Sequence, residues 1–170
     1  MVITAAPSVS EESMAWSALR VVMDPEIPVL SVVDLGLIRY IKCTGEGHVE
    51  IGLTPTYSGC PATAVIRGAV VAAMHASGFS HPSVVEILTP PWSSASLSKE
   101  AHDKLRQYGI APPNHAIASP RAIWADLPIV HCPRCESQDT EELSRFGSTP
   151  CKALHRCKAC LEPFEYFKCI

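Results

Sequence analysis

Apolar positions recur at helical spacing in three stretches of the chain and alternate or cluster in short β-prone runs between them. After Ser8-Val-Ser-Glu11, which has the form of a capping box, Ala15, Leu19 and Val22 repeat at i, i+4 and i+7, predicting a helix to about Met23. Asp24-Pro-Glu-Ile-Pro28 ends it, because proline disfavours the helical conformation in the residue before it and supplies no donor itself. Leu37–Cys43 and Val49–Thr54 are β-prone runs joined by Thr44-Gly-Glu-Gly47, a hairpin signal. From Pro61 to Ser77, Ala62, Val65, Ile66, Ala69, Val70 and Ala73 fall on one helical face, and Gly78 marks the stop. Val84–Leu88 predicts a third strand, and Ser98 caps a last helix in which Ala101, Leu105 and Tyr108 share a face. The order helix, hairpin, helix, strand, helix predicts an α+β class, a small sheet covered by helices.

Proline then organises the rest. Gly109–Pro128 holds Pro112, Pro113, Pro120 and Pro128 and reads as a linker with little regular structure. The expected division is therefore an α+β domain over 1–110, a linker over 111–129 and a separate tail over 130–170. A hydrophobic fraction of 47% with 18% charged residues is that of a globular chain, which excludes wholesale disorder. The net charge of −3 gives no global reason to expect nucleic acid or an anionic membrane. The first residues lack the basic start of a signal peptide, and the longest apolar stretches, such as Ala69–Met74, are too short to span a bilayer. A soluble cytoplasmic protein with no membrane partner is the expectation.

The eight cysteines crowd the tail, where Cys132, Cys135, Cys151, Cys157, Cys160 and Cys169 lie, while only Cys43 and Cys60 precede it. Cys132-Pro-Arg-Cys135 and Cys157-Lys-Ala-Cys160 are two C-x-x-C turns separated by 21 residues. Each turn brings two thiolates to one side, and together they supply the soft tetrahedral ligand set of a structural zinc ribbon. A segment of this length buries too little surface to fold alone, so the metal is expected to contribute much of its folding free energy. Iron on the same four thiolates is the chemical alternative. Cys151 and Cys169 are spare thiols, and they or His131 and His155 remain alternative ligands. Lys152, His155, Arg156 and Lys158 form a short basic cluster, but Glu136, Asp139, Glu141 and Glu142 offset it. No nucleic-acid partner is expected; a structural or protein-binding ribbon is.

Before the tail, Thr54-Pro-Thr-Tyr-Ser-Gly-Cys-Pro61 carries the most chemistry. Cys60 falls at the expected cap of the second helix with Pro61 at its first position. Free backbone N–H groups and the helix dipole there favour a reactive thiolate, with the hydroxyls of Thr54, Thr56 and Ser58 nearby. A small buried cap residue is the plain alternative. A cysteine phosphatase would need arginine six positions on, where Ile66 stands and Arg67 comes one too late. Leu53-Thr-Pro55 and Leu88-Thr-Pro90 both close β-prone runs; if the strands are parallel neighbours, their ends and the loop Pro91–Ser96 would border Cys60. Thr-Pro stopping two unrelated strands is the simpler account. His48, His75, His81, His102 and His115 show no metal-ligand spacing and read as structural or exposed.

Asp24-Pro-Glu-Ile-Pro28, Asp34-Leu-Gly-Leu37, the Leu53–Pro61 stretch and Pro90-Pro-Trp92 together resemble the small domain of the SufT-like iron–sulfur assembly factors. The tail, with Phe146-Gly-Ser-Thr-Pro-Cys151-Lys and Arg156-Cys-Lys-Ala-Cys160, is similar to that of the phenylacetate-degradation (PaaD-type) branch of that family. The resemblance covers roughly residues 10–170. It implies an accessory protein of the phenylacetyl-CoA 1,2-epoxidase system, without catalytic activity of its own, assisting cluster assembly or delivery to the iron–sulfur reductase component. It also implies other assembly proteins and a second copy of the chain as partners, structural zinc, and a transient iron–sulfur cluster at Cys60, with Asp24 and Glu26 shaping the pocket. The alternative is a noncatalytic subunit that uses its ribbon to bind the oxygenase. The chain lacks a Glu-x-x-His di-iron pair, a G-x-G-x-x-G turn and plant-type ferredoxin spacing, consistent with a helper rather than an oxygenase or reductase.

Overall fold

The computed structural model describes residues 9–57, 59–113 and 129–168. They form two compact units that divide between Trp92 and Ser93. This division lies earlier in the chain than the boundaries at 110 and 130 drawn from composition.

In the first unit, helix α1 (Val9–Leu19) is followed by strands β1 (Ile38–Gly45) and β2 (His48–Leu53), helix α2 (Ala62–Ala76) and strand β3 (His81–Glu86). The α1 helix stops four residues short of the expected Met23. The chain must turn extended there, since Met23 bridges Ser31, the Asp24 N–H donates to the Leu30 carbonyl at 2.8 Å, and the Val32 N–H donates to the Val22 carbonyl at 2.9 Å. Val22 stays buried beyond the helix end. Ser8, half of the expected capping box, lies outside the described residues.

The hairpin forms as the pattern predicts, with β1 antiparallel to β2. Gly45, Glu46 and Gly47 all adopt positive φ (82°, 54° and 75°), a run that two glycines make accessible. On β2, Val49, Ile51 and Leu53 point into the core beneath the helices. The α1 helix packs on β1 and α2, and α2 packs on β3, so the helices cover one face of the sheet. On the other face the Tyr40 ring lies over Gly52, where a Cβ would come within 2.4 Å of it.

The buried row of α2 is narrower than its apolar pattern suggests: Ala62, Ile66, Val70 and Met74 are buried, while Val65 is 60% exposed and Ala69 is exposed. Packing against α1 and β3 consumes a single i, i+4 ridge and leaves the flanking apolar positions in solvent. Strand β3 pairs in parallel with β2, giving the sheet order β1-β2-β3. A parallel pair needs a crossover, and α2 supplies it. Trp92 closes the unit: it is 3% exposed, and its indole Nε1–H donates to the Leu35 carbonyl at 2.8 Å.

The second unit begins with a 3-10 turn (Ser94–Ser96) and helix α3 (Lys99–Tyr108). The Ser98 hydroxyl caps α3 by accepting the Ala101 N–H at 3.0 Å, as the sequence predicts. Ala101 and Leu105 are buried, but Tyr108, expected on the same face, is 56% exposed in the last turn before Gly109 enters the left-handed region. Strands β4 (Ile110–Ala111), β5 (Thr140–Ser144), β6 (Lys152–Cys157) and β7 (Pro163–Phe167) form a sheet ordered β4-β7-β6-β5. The start of the expected linker is thus a strand, because Ile110 and Ala111 pair with Glu165 and Tyr166 of β7. Residues 114–128 of that linker lie outside the described residues. Ala111, Val130, Cys132, Ala153, Cys157, Phe164 and Tyr166 make up a buried cluster.

Replacing Trp92 with Phe removes the bond to Leu35 and leaves a buried carbonyl unpaired, a loss of about 1–2 kcal/mol. Denaturant unfolding followed by circular dichroism is expected to show a lower midpoint with an unchanged slope; an unmoved midpoint would show that the hydrogen bond contributes nothing.

Candidate functional site

The four C-x-x-C cysteines converge in the second unit through two turns built alike. In the first, the Cys132 N–H donates to the Ser137 carbonyl at 3.0 Å and Glu136 takes φ 60°. In the second, at the end of β6, the Cys157 N–H donates to the Glu162 carbonyl at 2.9 Å and Leu161 takes φ 64°. Each turn thus places a non-glycine residue in the left-handed region directly after its second cysteine, a conformation that needs local compensation. The Cys132 and Cys160 sulfurs are 3.8 Å apart and those of Cys135 and Cys157 3.5 Å, with all four within 4.8 Å of one another. Four sulfurs tetrahedrally disposed at about 2.3 Å around one ion would be separated by about 3.8 Å, so the donor set fits a tetrahedral dication.

Cys132 and Cys157 are buried, whereas Cys135 and Cys160 face solvent. The Cys160 backbone N–H, 3.4 Å from its sulfur, leads the effects that hold the Cys157 thiol down to about 6. Cys135 is pushed up to about 12: the Ser137 backbone opposes this, but hydrogen bonds with the thiols of Cys160 and Cys157 outweigh it. Arg134, between the first two cysteines, pairs with Glu162 just past the second turn and tethers one turn to the other. Glu162 first, and then the charges of Cys160 and Cys132, hold the Arg134 guanidinium above its usual range.

The alternative ligands stand apart. Cys151 is buried with its sulfur 3.1 Å from the Thr149 hydroxyl, and Cys169 lies outside the described residues. His131 lines a cleft of about 490 Å³ beside Cys132, with Arg106, Pro112, Pro133 and Glu136. His155 is 6% exposed, with ring centroids 5.8 Å from Phe164 and 5.5 Å from Tyr166. Neither of its ring nitrogens has a hydrogen-bond partner among the described residues. Burial holds its pKa below the usual histidine range against the opposing charge of Glu142.

In the first unit, β2 and β3 end together: Leu53 pairs with Glu86, and the Ile87 N–H donates to the Leu53 carbonyl at 2.8 Å. The two Thr-Pro segments therefore leave parallel neighbouring strands at the same edge and are not stops on unrelated strands. Thr54 at this exit is 1% exposed, and its N–H donates to the Leu37 carbonyl at 2.8 Å; Thr56 is half-buried. Cys60 is half-buried one position before the cap, which is Pro61 rather than Cys60 itself. Its carbonyl accepts the Thr63 N–H at 3.1 Å. Ser58 lies outside the described residues.

Asp24 is buried, and its Oδ1 accepts the N–H groups of Glu26 and Ile27, both at 2.8 Å, so its carboxylate braces its own loop. Glu26 is half-buried. Among the described residues, no hydrogen bond joins the Cys60 thiol to Asp24, Glu26, Thr54 or Thr56. Asp34 braces a second loop, accepting the N–H and the hydroxyl of Ser31 at 2.9 Å each. Sequence reasoning missed Arg39, whose Nη2 donates to the carbonyls of Pro90 and Pro91 at 3.3 and 3.2 Å. With Trp92, it staples the β3 exit loop to the first strand and the loop before it. No local pattern marks Arg39; its partners are 51 and 52 residues away.

Comparison with known proteins accounts for both units. Residues 12–84 match the iron–sulfur cluster assembly protein family, and residues 120–168 match the PaaD zinc β-ribbon domain. The chain is 50% identical over 156 residues to an Escherichia coli K12 protein provisionally named as the D component of 1,2-phenylacetyl-CoA epoxidase, covering 91% of each chain. It is 34% identical over 84 residues to an Fe–S protein maturation auxiliary factor of Porphyromonas gingivalis, covering 49% of this chain and 79% of that one. A crystal structure of a domain of unknown function, DUF59, from Bacillus anthracis matches with TM-score 0.53 and 26% identity, over 56% of this chain and 92% of that one. No helix among the described residues is long and apolar enough to cross a membrane.

Two outcomes follow from the cysteine cluster and its surroundings. Cys157→Ser is expected to lose the bound metal and, with it, the dispersed amide spectrum of the second unit, while Cys151→Ser keeps both; metal analysis with NMR checks this, and metal loss in Cys151→Ser would reassign the ligand set. His155→Phe removes two unpaired buried nitrogens from an aromatic wall and is expected to leave stability unchanged or raise it by up to about 1–2 kcal/mol in thermal unfolding. A large drop would show that the 4.0 Å approach of His155 Nε2 to the Glu142 carboxylate contributes to stability.

Proposed function

Because the chain belongs to the PaaD family, in which an iron–sulfur cluster assembly domain carries a C-terminal zinc β-ribbon, we propose that it acts in the cytoplasm as the maturation helper of a phenylacetyl-CoA epoxidase, passing a cluster to the reductase component. The observation that carries this reading is the position of Cys60. It is a half-buried thiol within the matched assembly domain, in the loop that leads from the end of β2 to α2.

In this proposal the deprotonated Cys60 sulfur takes one coordination position on an iron of the cargo cluster, its proton passing to solvent. Asp24 and Glu26 shape the facing loop, and Thr54 and Thr56 order the strand exit that presents the thiol. A single thiolate cannot hold a cluster, so a second copy of the chain, another assembly protein or the recipient reductase completes the coordination. Such sharing suits a carrier, since a partly satisfied cluster leaves readily.

Zinc is the metal proposed for Cys132, Cys135, Cys157 and Cys160, and when bound it supplies folding free energy, on the order of 10 kcal/mol for sites of this kind. The chain's own residues do the rest: two thiolates are shielded in the core, and Arg134 and Glu162 tie the turns together. The ribbon's role is then structural, holding the second unit in shape for docking to the epoxidase components.

Metal and acid-labile sulfide are to be measured in anaerobically purified wild type and Cys60→Ser. One zinc per chain in both, with iron and sulfide in the wild type alone, is the expected result. Zinc in both without iron or sulfide, together with full cluster content in the reductase of cells carrying Cys60→Ser, would overturn the carrier role and leave a zinc-stabilised binding subunit.

A further inference from the structure

His48 and His81 are 33 positions apart in the chain, which hides any relation between them. The parallel pairing of β2 with β3 makes them directly facing register partners at the N-terminal ends of both strands. Both are exposed, and their rings lie with centroids 4.4 Å apart and planes inclined by 28°. Neither imidazole makes a hydrogen bond among the described residues. The backbone beneath them is held closely: the His81 N–H donates to the Gly47 carbonyl at 3.0 Å, and a Cβ on Gly47 would come within 3.0 Å of Ser80.

We propose that His48 and His81 form a second metal site, a two-imidazole chelate for a divalent late-transition-metal ion, separate from the cysteine cluster. The rings are stacked with centroids 4.4 Å apart, so both side chains reach the same point above the sheet. Two imidazoles on one ion need a similar span: with metal–nitrogen bonds of about 2.0 Å and ring centres about 1.1 Å further out, their centroids stand about 4.4 Å apart at a right angle and about 5.1 Å at a tetrahedral angle. Imidazole ligands suit Ni²⁺ and Cu²⁺. Rotation of each exposed ring about its own side-chain bonds turns a nitrogen towards the shared ion without moving the backbone. Because the rings already stand together on paired strands, binding orders little that is not ordered beforehand.

The charges around the pair are mixed. Glu50 follows His48 two positions on along the same face of β2, and the Tyr40 hydroxyl donates to its carboxylate at 3.0 Å. Lys42 faces Glu50 across the β1–β2 pair. The pair stands a full strand away from the Thr54 exit, about 20 Å along the sheet. The site is thus independent of Cys60 and of the maturation reading.

Ni²⁺ is the probe, since it favours imidazole and does not oxidise thiols. It is to be titrated into the full chain with its ribbon metal already bound, by calorimetry and by paramagnetic broadening of the histidine ring protons. The expected result is one saturable Ni²⁺ per chain that broadens His48 and His81 first. His48→Gln and His81→Gln should each weaken it at least ten-fold, with ribbon metal content unchanged. No saturable binding, or equal affinity in the double variant, would overturn the site.

Discussion

The parallel pairing of β2 with β3 governs the first unit. It forces the chain between them to cross over the sheet, and α2 makes that crossing with a single buried ridge of Ala62, Ile66, Val70 and Met74. It also brings the strand ends into common register. At one end Thr54 and the Ile87–Pro90 segment leave side by side towards the Cys60 loop and the Arg39–Trp92 staple. At the other, His48 and His81 are brought face to face. An antiparallel β3 would have put one end of each group on the wrong edge, so the chemistry at both ends depends on strand direction before it depends on any side chain.

The second unit obeys a different constraint. Its strands are short, β5 is exposed along most of its length, and the buried cluster is small. Two of the seven residues in that cluster are cysteines of the four-thiol group. Core and metal-ligand set therefore overlap, and hydrophobic burial alone leaves the thiolates crowded without a counter-charge. The geometry expresses the same crowding: four ionisable sulfurs within 4.8 Å cannot all carry charge without a cation between them.

The two units thus divide labour by chemistry. The assembly-type unit presents a single thiol on a scaffold of braced loops, in which Asp24 and Asp34 are occupied with backbone N–H groups. The ribbon gathers four thiols into one set, two of them buried. In the proposed function one thiol exchanges ligands and four keep one, and separate frames suit that division, because the rigidity that favours the second hinders the first.

Much of this was legible in the residues themselves. The capped α3 helix, the glycine-bearing hairpin and the two C-x-x-C turns are local, since each depends on conformations or ligand pairs set by a few neighbouring residues. The early end of α1 was not legible, because the Met23–Ser31 bridge that stops it depends on a loop folding back. The same holds for the exposure of Val65 and the strand formed by Ile110 and Ala111, which are decided by what packs or pairs against them. Arg39 reaching the Pro90 and Pro91 carbonyls, and His48 meeting His81, lie further still from any local pattern. The order of residues was enough to specify most of the element types, the four-thiol motif and the family. Which distant residues meet was settled by the assembled sheets, because strand direction and register are collective properties that no short segment encodes.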